Sequence, residues 1–69
     1  MKKIGMLDTK KAYFEIYYDE KAKTNPYRLY NKYWKTDRWH RKLIEKYADL
    51  YSCTIWLNNY VANHNEESR

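Results

Sequence analysis

The residues that could do chemistry are few and scattered. His40 and His64 are the only histidines, and Cys53 is the only cysteine. One thiol and two distant imidazoles do not make a zinc set, and a single cysteine cannot close an internal disulfide. His40 stands between Trp39 and Arg41, with no nucleophile or carboxylate spaced to work beside it. Cys53 falls in an apolar stripe within the slightly acidic end of the chain, where a small buried hydrophobe is expected rather than a reactive thiolate. Glu15 and Glu45 offer paired carboxylates, but 69 residues build little cleft for a sugar. No catalytic residue, metal or cofactor is expected, and the chain reads as a non-enzyme.

What remains is a surface. Nine Tyr, three Trp and one Phe are more rings than so small a core can hide. The formal net charge is +5, and it is unevenly spread. Lys10 to Lys46 holds eleven Lys or Arg against five Asp or Glu, whereas Tyr47 to Arg69 has one Arg against Asp49, Glu66 and Glu67. Cations neutralise phosphates and release counterions, while exposed rings stack on bases. The stretch from Pro26 to Ile44 concentrates both groups. Its candidate nucleic-acid contacts are Lys32, Lys35, Arg38 and Arg41 for phosphates, with Tyr30, Trp34 and Trp39 as stacking groups.

These side chains need strands to align them. Residues 12–18 and 26–34 are rich in aromatic and β-branched residues and alternate, and a polar loop ending at Asn25-Pro26 joins them. The segment from Trp34 to Trp39 is symmetric about its centre, which predicts a tight turn with the two indoles paired across it. A third strand then covers 39–47, and Asp49 or Ser52 caps a helix over about 50–63. The expected helix stripe is Leu50, Cys53, Thr54, Leu57, Tyr60 and Val61. The competing reading is a hairpin followed by one long helix from 37 to 63. Either way the fold class is α+β: a small antiparallel meander of two or three strands with a C-terminal helix on one face. It forms a single domain over 1–69, with residues 1–3 and 65–69 expected to fray.

With Ile16 opposite Leu29 and Leu29 opposite Ile44, alternation divides the sheet. Phe14, Ile16, Tyr18, Tyr27, Leu29, Tyr33 and Ile44 face the helix. The other face gathers Tyr13, Glu15, Tyr17, Arg28, Tyr30, Lys32, Trp34, Trp39, Arg41, Leu43, Glu45 and Tyr47, with Arg28 expected to pair with Glu15 or Glu45. Three strands and a packed helix resemble, in architecture alone, the plant AP2-type and phage-integrase arm-binding domains, whose sheet faces contact DNA.

The functional expectation is an accessory protein that binds nucleic acid, DNA ahead of RNA, through this basic aromatic face. The alternative is a protein-interaction module, a small regulator or inhibitor using the same rings as hot spots, with a homodimer as one form of contact. The lone cysteine and the lack of a leader or membrane-length apolar run suit the cytoplasm. The Lys, Asn, Tyr and Ile bias suits an A·T-rich bacterial, phage or mobile-element genome.

Overall fold

The computed structural model describes residues 1–64; the tail expected to fray at 65–69 lies outside them. Four antiparallel strands follow one another as a meander: β1 (Lys2–Asp8), β2 (Tyr13–Tyr18), β3 (Tyr27–Lys35) and β4 (Arg38–Tyr47). One helix, α1 (Leu50–His64), closes the chain. The α+β class, the two central strands and the closing helix agree with the sequence. The first strand is an addition, and Lys2 and Lys3 belong to it rather than to a frayed end. The long helix from 37 does not form, because residues 38–47 pair with β3 along its whole length.

The helix starts where Asp49 Oδ1 accepts a hydrogen bond from the Ser52 amide at 2.8 Å, which makes Asp49 the N-cap. Its buried stripe is narrower than the spacing suggested. Cys53 and Leu57 are buried and Trp56 and Tyr60 pack beside them, whereas Leu50 and Thr54 are exposed. Phe14 decides this choice. Its ring meets Trp56 and Tyr60 edge-on at 5.4 and 4.8 Å, and those two rings stack on each other at 5.7 Å. Ile16 and Leu29, opposite one another in the sheet, complete a core of only five buried residues.

The β3–β4 register carries one irregularity. Tyr30 faces Leu43 but Leu29 faces Glu45, so β4 bulges by one residue around Ile44. Leu29 is therefore not opposite Ile44, and Tyr47 is returned to the helix side, where it packs on the core with Ile44. Beyond the bulge, Trp34 faces Trp39 with centroids 5.4 Å apart, as the symmetric segment suggested.

The turn is tighter than a four-residue loop. Lys35 already pairs with Arg38, leaving Thr36 and Asp37 with φ of 54° and 61°. Two left-handed central residues are what the right-handed twist of a hairpin demands, but a β-branched Thr is poorly suited to supply one. Local bonds offset part of the strain: Thr36 Oγ1 donates to the Lys35 carbonyl at 2.6 Å, and His40 Nε2 lies 2.9 Å from the same oxygen. A carbonyl only accepts, so that nitrogen carries the proton. His40 also stacks on Tyr33 at 5.5 Å, which makes it a brace for the turn. Replacing the strained pair by Thr36→Asn with Asp37→Gly should stabilise the domain by about 1–2 kcal/mol. A urea titration should show a higher midpoint at unchanged slope.

Candidate nucleic-acid interface

The face away from the helix is organised by a carboxylate. Glu15, in the middle of β2, is only 1 % exposed even though no helix covers it. Lys3 reaches it from β1 at 3.2 Å, Lys32 from β3 at 3.7 Å, and the Tyr17 hydroxyl donates to it at 3.0 Å. Burial pushes the Glu15 carboxyl up, but the hydrogen bonds from Lys3 and Tyr17 and the charges of Lys32 and Lys3 outweigh it. The net result lies below the ordinary carboxylate range. Burial, and then the bond to Glu15, raise the Tyr17 hydroxyl and keep it a donor. Arg28 takes no part: it pairs with Asp19 at 2.9 Å, not with Glu15 or Glu45. The bulge has moved Glu45 opposite Leu29, and Glu15 is already satisfied.

The structure separates the seven expected contacts into two groups. Tyr30, Lys32 and Arg41 belong to the body of the face. Tyr30 is buried, and the Arg41 guanidinium lies 4.8 Å from its ring centroid and 5.2 Å from that of Tyr17. Lys32 sits over Tyr13 and Trp39 at 5.9 and 5.5 Å while pairing with Glu15. Tyr30 is thus closed to a stacking base, and Lys32 is shared with the protein. Arg41 is exposed on its outer side.

Trp34, Lys35, Arg38 and Trp39 form the second group. Pairing between β2 and β3 ends at Tyr13 and Lys32, so residues 33–40 continue as a two-stranded arm beyond the rest of the sheet. Trp34 and Trp39 are 58 % and 55 % exposed there, and Lys35 and Arg38 flank the strained turn. A large ring held half in water at a fixed position is costly unless something covers it.

The sequence did not point to a third component. The β1–β2 turn lies against the base of the arm and presents Lys10 and Lys11, both exposed. Buried Thr9 holds it in shape. Its Oγ1 donates to the Ala12 carbonyl at 2.9 Å and accepts from the Ala12 and Lys11 amides at 2.9 and 3.3 Å. A Thr whose hydroxyl can serve the amides two and three residues on was the available signal.

Cys53 has no exposed surface, and burial, followed by the charge of Asp49, raises its thiol, which disfavours the thiolate. Among the described residues, no cluster of three metal-ligating side chains occurs and no helix is long and apolar enough to cross a membrane. Comparison with protein-family models, curated proteins and solved structures finds no match for this chain.

Glu15→Gln should lower stability by about 1–2 kcal/mol at neutral pH, the exposed parts of Lys3 and Lys32 limiting the loss. Because the folded-state carboxyl is depressed, its contribution is present above the unfolded pKa of about 4.3 and is lost as pH falls through the folded value. Thermal melts across that acid window should show the parent losing stability more steeply than the variant.

Proposed function

We propose that this protein is a small, non-enzymatic, cytoplasmic accessory protein that binds nucleic acid through the β3–β4 arm and the cationic face behind it. The projecting arm is the observation that carries this reading: two half-exposed indoles, and one pair nearer the tip two exposed cations, held out by a turn with a left-handed Thr. Backbone strain of this kind persists where the surroundings enforce it, and it gathers at functional sites. Stacking on a base stabilises by about 1–3 kcal/mol, enough to repay the exposure of an indole, and Lys35 and Arg38 at the tip can meet the phosphates that lead away from such a base. Glu15 supports the same reading by fixing Lys3 and Lys32 rather than cancelling the field, since one carboxylate meets two cations.

A second reading draws on another surface. Tyr51 and Ile55, one helical turn apart on α1, are 73 % and 42 % exposed and stand beside the half-exposed Leu50. That apolar strip suits a protein partner, a second copy included, and would make the chain a small regulator or inhibitor.

Salt separates the two. Binding to mixed DNA or RNA fragments, measured by filter retention, should weaken steeply between low and moderate salt, whereas an aromatic protein contact should change little. Lys35→Glu combined with Arg38→Glu should abolish retention while leaving the thermal melt unchanged. Retention that ignores both salt and this double variant would sink the nucleic-acid reading.

A further inference from the structure

A notch of about 490 Å³ opens where β2 stops and the arm continues, between the β1–β2 turn and the free edge of β3. One wall is aromatic: Trp34 and Trp39, with Tyr13 tilted against Trp39 at 6.3 Å. The opposite wall is the turn held by Thr9, with Lys10 and Lys11 outermost. Asn31 also borders the notch, but as the partner of Phe14 its side chain stands on the helix side of the sheet, away from the indoles.

The main chain adds a further pair of groups. A two-residue loop makes Lys35 and Arg38 a hydrogen-bonded pair, and antiparallel pairs alternate along the ladder. Trp34 and Trp39 are then a non-bonded pair, so the N–H and C=O of Trp34 turn away from β4 toward the notch. On that side the β2 ladder has already ended, with Tyr13 opposite Lys32. The notch thus combines ring faces, a main-chain donor and acceptor, and two outlying ammonium groups. The volume falls in the usual range for a small-ligand site.

A nucleotide has the matching chemistry: a planar base with donors and acceptors on its edge, joined to an anionic phosphate. In a duplex the base is stacked and its pairing edge occupied, so only an unpaired nucleotide can enter. We propose that the notch takes one nucleotide of a single-stranded nucleic acid. Its base lies against Trp34 with its edge toward the Trp34 main chain, and its phosphate lies at Lys10 and Lys11. This rests on the nucleic-acid reading above and narrows it to unpaired strands.

The test uses the full chain and a fluorescein-labelled single strand of about 12 nucleotides, within the site sizes of small single-strand binders. Anisotropy titrations at low salt compare that strand, its duplex, the same strand with abasic sites, and adenosine monophosphate as competitor. The expected result is single-strand binding at least about tenfold tighter than duplex, weakened about fivefold by abasic sites and by Lys11→Glu, with the nucleotide competing only at far higher concentration. Lys11→Glu is checked by its thermal melt, and Trp34→Phe, which keeps a ring, should retain most of the affinity. Equal or tighter duplex binding would overturn the notch proposal and leave the broader reading intact. Competition by the free nucleotide as strong as by the strand would also overturn it, because the site would then be one for a mononucleotide. Salt-insensitive or absent binding of every oligonucleotide would overturn both.

Discussion

The structure depends on keeping one buried negative charge satisfied. A carboxylate out of water is tolerated only when cations and hydroxyl donors replace its hydration. Glu15 draws those groups from three strands: Lys3, Tyr17 and Lys32. That requirement helps to hold β1, whose Leu7 also packs against the core, and it fixes the long side chains of the uncovered face. Those stems and the arginine above them then shield the tyrosine rings. The face without a helix becomes a thin second layer built from charge and aromatic area.

That layer compensates for a small core. The molecule measures 34 × 30 × 16 Å, so its thin dimension holds one sheet and one helix and nothing more. Five buried side chains on the helix side cannot stabilise four strands by themselves. The cation–π contacts of Lys32 and Arg41 add about 0.5–1 kcal/mol each at such partly exposed sites. The arm touches that layer only through Trp39, which meets Lys32 and Tyr13 at its base. Beyond that contact it is held by its own ladder, the Trp34–Trp39 pair and the His40 brace, which leaves its outer surface exposed.

The legible parts of the sequence were those set by local rules. Alternating aromatics marked β2 and β3, the symmetric Trp34–Trp39 segment marked the turn, and Asp49 marked the helix start. Parts set by tertiary contact were not legible. The first strand has a glycine and two lysines among seven residues, and its reason for ordering is a partner on another strand. The bulge at Ile44 exchanges the faces of β4 without any glycine or proline to announce it. Trp56 displaced Leu50 from the helix stripe because Phe14 presents a ring that prefers rings. For the interface, residue types showed which groups could bind anions. The geometry showed that Tyr30 and Lys32 are engaged by the protein, and that the turn lysines stand near the exposed indoles.

The ladder beyond Lys32 also sets how such an arm can change over evolutionary time. Three residue pairs separate its base from its turn, and each pair swaps the face on which its side chains stand. Losing or gaining one pair at the base would carry both indoles to the helix side, away from Tyr13 and Lys32. Losing or gaining two would keep their facing and shift the tip by about 7 Å. Reach is therefore adjustable only in coarse steps, whereas the folding core, which ends short of the arm, is indifferent to its length. Selection can retune what the tip touches without renegotiating stability.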